Sequence, residues 1–148
     1  MTAATTARNT PRGAAAHDQC RDYPVAAAVK IHAGTLVVLT AAGFAKPGEA
    51  ATGLVTVGRA RKSYDNTSGA AGAFRVEVDE GVFPWVNSAA ADAITTANVG
   101  DRVYVVDDQT VALTNGTGTR SVAGIVRKVD AAGVWTQTGV GVSRALPA

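Results

Sequence analysis

The residues of this chain with the most catalytic potential are a few carboxylates, two histidines and one cysteine. The acids closest together are Asp107 and Asp108, and Glu77, Asp79 and Glu80. Two carboxylates can act as general acid and general base when they converge on one desolvated pocket. Adjacent turn residues point apart, and alternate residues of a strand lie on one exposed face. We therefore interpret both groups of acids as solvated surface residues.

Nucleophilic catalysis or zinc binding would have to use His17, His32 and Cys20. Neither histidine has a serine or cysteine in a nucleophile-elbow context near it in sequence. One thiol and two histidines fall short of a zinc-ligand set with recognisable spacing. Because Cys20 has no second cysteine to pair with, the fold does not depend on an internal disulfide. The sequence predicts no catalytic residue, no cofactor and no metal.

Two glycine-containing segments superficially resemble ligand-binding loops. Residues 115–120 (NGTGTR) lack the G-x-x-x-x-G-K-[ST] spacing of a phosphate loop and precede a predicted strand rather than a helix. Residues 65–69 (DNTSG) offer oxygen atoms as a calcium loop does, but no bidentate glutamate follows at the required distance. Both segments are predicted to be turns.

Charge and hydropathy argue against nucleic acid and membrane as direct partners. Fourteen Lys and Arg against twelve Asp and Glu leave a formal charge of +2, with the two signs interspersed. Nucleic-acid-binding proteins usually gather basic residues on one face, and the closest cluster here, Arg59, Arg61 and Lys62, has no aromatic stacking pattern beside it. No segment has the apolar length of a membrane span, and residues 1–16 lack the apolar centre of a signal peptide. We expect a soluble protein.

Short valine-rich runs separated by Gly, Asn and Asp every ten residues or so are typical of an all-β sandwich or barrel. The alternation is clearest where Phe74, Val76 and Val78 are separated by charged residues, which predicts a half-buried strand. A hairpin with its tight turn at 107–109 is predicted, and a second turn is predicted at 130–133. The predicted strands are 25–31, 35–40, 53–60, 73–78, 82–86, 102–106, 110–114, 122–129 and 134–140.

The remaining segments complete the predicted organisation. Residues 1–24 are small, polar and aperiodic, and we expect a flexible N-terminal arm that is either a passive tail or a partner-binding strap. Residues 25–148 form one β-barrel domain. Ser88 is a candidate N-cap for one short helix over the alanines that follow it, before Gly100. Phe83-Pro84-Trp85 either packs in the core, which we favour because aromatic residues are few, or anchors a partner or a sugar.

Nine short motifs follow one another over most of the chain: 33–39 (AGTLVVL), 53–60 (GLVTVGRA), 65–66 with 69–72 (DN and GAAG), 76–83 (VEVDEGVF), 87–88 (NS), 99–100 (VG), 103–108 (VYVVDD), 124–126 (GIV) and 133–135 (GVW). In this order they resemble the capsid decoration, or cement, proteins of tailed bacteriophages. The order of the whole series carries the resemblance, since each motif alone is common in β proteins.

The resemblance implies a compact β-barrel or β-tulip-like fold of short strands, with an extended N-terminal arm and no active site. It also implies a structural virion protein on the capsid exterior, made in the bacterial host cytoplasm. Such a protein stabilises the shell by bridging subunits of the major capsid protein, as a homo-oligomer that is a trimer or a dimer. The candidate contact residues are Arg8, Arg12, Arg21, Tyr23, Phe83 and Trp85.

Three alternatives remain open at this point. A tail-tube, head-completion or fibre-associated phage protein would also be all-β and non-enzymatic, and would assemble into stacked rings. A carbohydrate-binding module would require Trp85 and Trp135 to be exposed and coplanar. An enzyme built around His32 and an aspartate would require a convergent pocket that the sequence does not indicate, and it ranks last.

Overall fold

The structure is a computed structural model that describes residues 20–143, and strands dominate it. The strands are β1 (Cys20–Pro24), β2 (Val29–Ile31), β3 (Leu36–Leu39), β4 (Ala45–Pro47), β5 (Val55–Ala60), β6 (Tyr64–Asn66), β7 (Arg75–Asp79), β8 (Gly81–Asn87), β9 (Arg102–Val105), β10 (Thr110–Ala112), β11 (Val122–Asp130) and β12 (Gly133–Thr138). Single 3₁₀ turns lie at Ala90–Asp92 and Thr96–Asn98, and the four-residue helix α1 spans Val140–Ser143. The predicted all-β class is confirmed.

Five strands close into a barrel in the order β10-β8-β12-β11-β9. The pairs are antiparallel except β8 with β10, which run parallel. At the irregularity in β11, Gly124 has no room for a side chain, because a Cβ there would lie 2.0 Å from the carbonyl oxygen of Gln137. The predicted barrel is therefore confirmed, and it is tightly closed at this point.

The other half of the molecule is a five-stranded antiparallel sheet in the order β1-β7-β5-β3-β4, with the small pair β2-β6 beside it. The sheet curls on itself, since Val25 forms a parallel bridge to Ala45 and the Ala26 N–H donates to the Ala45 carbonyl at 2.8 Å. This bridge brings the end of the first strand of the sheet onto the last.

Strand β3 joins the two halves. Leu36 and Val38 pack in the barrel core, whereas Val37 between them packs in the core of the sheet. All three side chains are fully buried. The Leu36 N–H also donates to the carbonyl of Asp108, in the β9–β10 turn, at 2.7 Å. A strand whose two faces are both covered carries consecutive apolar residues, as β3 does.

Strand β1 lies within the segment that was expected to be an arm. Its five residues pair with β7, from Cys20 opposite Asp79 to Pro24 opposite Arg75. An ion pair of 2.5 Å between Arg75 and Asp22 accompanies the pairing. Residues 20–24 therefore belong to the sheet, because long-range pairing compensates for a polar local sequence. Residues 1–19 of the predicted arm lie outside the described residues.

The predicted short helix after Ser88 is replaced by the two 3₁₀ turns. The Ser88 hydroxyl donates to the Val111 carbonyl instead of capping a helix, and the Asn87 side chain forms two hydrogen bonds with the backbone of Ile94. Ala90 adopts a positive φ of 54°, which is incompatible with a right-handed α-helix. Tertiary hydrogen bonds thus override the helical preference of the alanines.

The predicted hairpin and the predicted second turn are both confirmed, and the second turn also joins two antiparallel strands. In the β9–β10 turn the Asp107 carboxylate accepts from the Gln109 N–H at 2.9 Å, and in the β11–β12 turn the Asp130 carboxylate accepts from the Ala132 N–H at 2.9 Å. These aspartates close their turns by the side-chain-to-backbone bonds that favour Asp in such positions. Among residues 20–143, no helix is long and apolar enough to cross a membrane.

Candidate binding surface

The acids that could have formed a catalytic pair have separate partners. Asp79 binds two arginines, Arg59 at 3.3 Å and Arg61 at 2.6 Å. Glu80 accepts from the backbone N–H of Val140. Asp107 closes its own turn. These three carboxylates have structural roles, and within the described part of the chain no three His, Cys, Asp or Glu residues are placed to hold a metal ion.

The candidate contacts of the N-terminal segment are only partly described. Arg8 and Arg12 lie outside the described residues. Arg21 and Tyr23 lie on β1, opposite Val78 and Val76. Arg21 is exposed, and Tyr23 is half-buried against the core of the sheet, where burial raises the pKa of its phenol. Arg21 therefore remains available to a partner, whereas Tyr23 mainly packs.

The candidate contacts Phe83 and Trp85 face inward from β8. Trp85 is 3% exposed and lies in the barrel core. Phe83 meets it edge to face with ring centroids 6.1 Å apart, and the Arg59 guanidinium lies 4.6 Å from the centre of the Phe83 ring. This burial supports packing in the core, which the sequence analysis favoured, as the role of Trp85. It also removes the exposed tryptophan pair that a carbohydrate-binding module would need.

The other face of β8 carries three exposed apolar residues, Val82, Pro84 and Val86. Val82 is 43% exposed and Val86 is 52% exposed. Because side chains alternate along a strand, these three point away from the barrel while Phe83 and Trp85 point into it. Together with Trp135 of the neighbouring strand, they form what we call the apolar strip.

Trp135 lies directly opposite Pro84 on β12 and is half-buried. Its indole N–H donates to the Asp130 carboxylate at 2.9 Å, and the Lys128 ammonium lies 5.9 Å from the ring centroid. Hydrogen bonds from Lys128 and Trp135 lower the pKa of Asp130 to about 2. The indole is thus held in one orientation before any partner arrives.

Basic residues border the strip on the side of β11 and β9. On β11, Lys128 is opposite Trp135 of β12. Further along, Ile125 of β11 lies between Gln137 of β12 and Arg102 of β9. The Arg127 guanidinium donates to the side-chain oxygen of Gln137, with the Nε contact at 2.8 Å. We call Arg102, Arg127 and Lys128 the basic margin.

The sequence analysis missed this surface, although a signal was present. Residues 82–86 (VFPWV) are five consecutive apolar residues, so both faces of the predicted strand had to be apolar. One face fills the barrel, and the other needs a second cover. Phe83 and Trp85 were the candidate contact residues. The exposed residues of this strand are instead the smaller ones, Val82, Pro84 and Val86.

Comparisons of the chain with protein-family models, with curated proteins and with solved structures found no match. The surface is therefore interpreted from its own geometry and from the order of the sequence motifs.

Proposed function

We propose that this protein is a structural component of a tailed-phage virion that binds the outer surface of the capsid and stabilises it by bridging subunits of the major capsid protein. The observation that carries the proposal is the apolar strip. Exposed apolar residues gathered on one face mark sites of contact with another macromolecule. The ordered motifs over residues 33–135 link this surface to the capsid decoration proteins that the chain resembles.

The position of the strip suits a protein contact. Strand β8 is paired on both sides, with β10 and with β12, so the backbone beneath the strip is fixed by two ladders. Trp135 is held by Asp130 and Lys128. A surface that is already ordered loses little conformational entropy on binding, which favours affinity. Many copies on one shell would add avidity to each modest contact.

The proposal includes the N-terminal segment as a strap. Strand β1 ties residues 20–24 into the sheet, so residues 1–19 would extend from a fixed point at its edge. In this proposal the protein is a homo-oligomer, a trimer or a dimer, and the strap contacts the capsid or a neighbouring copy. Deleting residues 1–19 is expected to leave a folded domain that binds heads more weakly. Unchanged binding would mean that the segment is a passive tail.

The decisive experiment uses undecorated heads of the phage that encodes this chain. The purified protein is co-sedimented with these heads, and the heads are then heated with and without it. We expect saturable binding in a fixed ratio to the major capsid protein and a higher temperature of head disruption. Heads of an unrelated tailed phage serve as the control.

Failure to bind the cognate heads would overturn the capsid role. Electron microscopy of the same preparation would then be informative, since stacked rings would identify a tail-tube component.

A further inference from the structure

We infer that the apolar strip binds a protein surface on which an apolar ridge lies beside carboxylates, and that Trp135 is the central contact residue. The inference rests on the proposed function and specifies its partner, so the outer face of the major capsid protein would present this chemistry. The surface is defined by Val82, Pro84, Val86 and Trp135, together with the basic margin.

The charge of the face points to an acidic partner. Within the basic margin, Arg127 and Lys128 lie next to the strip, and Asp130 is the carboxylate in contact with Trp135 and Lys128. Arg127 is held by the neutral amide of Gln137, so that contact leaves its charge uncompensated. Carboxylates placed next to a partner's apolar ridge would complement this excess and set the orientation of binding.

The same excess of positive charge makes a second copy of this chain an unfavourable partner for the strip. A two-fold contact places the same patch on both sides, so each copy would bring its own basic margin into one interface. Like charges brought together in a poorly hydrated contact are costly. A partner of opposite charge avoids that cost.

A nucleic acid is a poorer occupant as well. Phosphates would satisfy the basic margin, but they leave Val82, Pro84 and Val86 without an apolar cover. Stacking of a base would need a free aromatic face, whereas Trp135 is flanked by Lys128 and tied at its indole nitrogen to Asp130. A protein surface covers the valines and pairs with the margin at the same time.

Trp135 has the features of a dominant contact residue. Binding hot spots are enriched in tryptophan near the centre of a contact, surrounded by residues that exclude water. Trp135 lies between Pro84 on one side and Lys128 on the other. Its fixed orientation means that little rotamer freedom is lost on binding.

The test measures binding of variants to undecorated heads of the cognate phage. Val82→Ser and Val86→Ser remove apolar contacts from exposed positions, and Val99→Ser is the matched control, since Val99 is 49% exposed and lies outside the strip. We expect each strip variant to bind about tenfold more weakly, because that corresponds to losing the burial of one valine. Val99→Ser is expected to bind as the wild type does. Thermal unfolding checks that all three remain folded.

The charge argument is tested with Lys128→Glu, with Lys62→Glu as its control because Lys62 is exposed and lies elsewhere. We expect Lys128→Glu to bind about tenfold more weakly and with a smaller salt dependence than the wild type, whereas Lys62→Glu changes neither. Binding of the wild type that does not weaken with added salt would overturn the acidic partner.

The outcomes separate the two proposals. Wild-type binding to heads with unchanged binding of the strip variants would overturn the inference and leave the capsid role standing. Failure of the wild type to bind heads would overturn the capsid role and the inference with it. A homo-oligomer that dissociates in Val86→Ser, measured by sedimentation equilibrium, would assign the strip to a second copy and also overturn the inference.

Discussion

Strands β3 and β8 have the same kind of sequence and opposite surroundings. Both carry consecutive apolar residues, LVVL in β3 and VFPWV in β8. In β3 both faces are covered, because Val37 packs in the sheet and its neighbours pack in the barrel. In β8 the inner face is covered by the barrel, whereas Val82, Pro84 and Val86 remain exposed. A strand with apolar residues on both faces needs a cover on each, and residues 20–143 supply only one of the two covers to β8.

The largest expected loss of stability comes from placing a charge in β3, and the same charge in β8 is the comparison. Val37→Asp buries a carboxylate in the core of the sheet without a partner, and we expect a loss of more than about 4 kcal/mol in the free energy of unfolding. Val86→Asp places the same charge on an exposed position, and we expect a change within about 1 kcal/mol. Urea unfolding measures both. Equal losses would contradict the assignment of β8 as a strand with one free face.

The two tryptophans of the barrel differ in the same way, since one lies inside it and the other on its outer face. Trp85→Ala leaves a cavity in the core, which we expect to cost about 3–5 kcal/mol. Trp135→Ala removes a half-buried ring and one hydrogen bond from the outer face, and we expect a loss of about 1–2 kcal/mol. Denaturant unfolding of each variant gives the difference, and a more damaging Trp135→Ala would show that the outer ring is the structural one.

The smallest effect concerns the Asp130 carboxylate beside the strip. Its folded pKa of about 2 lies below the ordinary value, so its contribution to stability is present above about pH 4 and is lost as the pH falls through about 2. Trp135→Phe keeps the ring and removes the indole N–H, so we expect the pKa of Asp130 to rise toward its ordinary value. Carbon NMR of the carboxyl group follows this titration, and an unchanged midpoint would mean that Trp135 does not hold Asp130.

Parts of the fold could be predicted because their signal is local. The β9–β10 and β11–β12 hairpins have valine-rich arms and turns closed by Asp107 and Asp130, and each of these features lies within a few residues of the others. Strands β4 and β6 escaped prediction because their three residues, AKP and YDN, do not belong to a valine-rich run. Strand β1 escaped because its CRDYP sequence is polar, and only its pairing with β7 makes it a strand.

From the sequence, the strand that carries the candidate surface could be predicted, but the face of that strand that is exposed could not. The run at 82–86 indicates a strand that is apolar on both faces, but alternation does not say which face turns inward. The large rings of Phe83 and Trp85 fill the barrel, so the smaller residues are left outside. Trp135 and the basic margin join them through cross-strand register, which links residues as distant in sequence as Pro84 and Lys128 through β12.

Local sequence patterns are enough to establish that this chain is all-β, where its turns lie, and that β3 and β8 are apolar on both faces. These properties depend on neighbouring residues, whose alternation and turn preferences act over a few positions. Only the tertiary structure decided that β3 lies between two cores and that β8 faces outward on one side. The physical reason is that burial depends on which strands pair and pack across the whole chain, and short-range patterns carry no information about those distant partners.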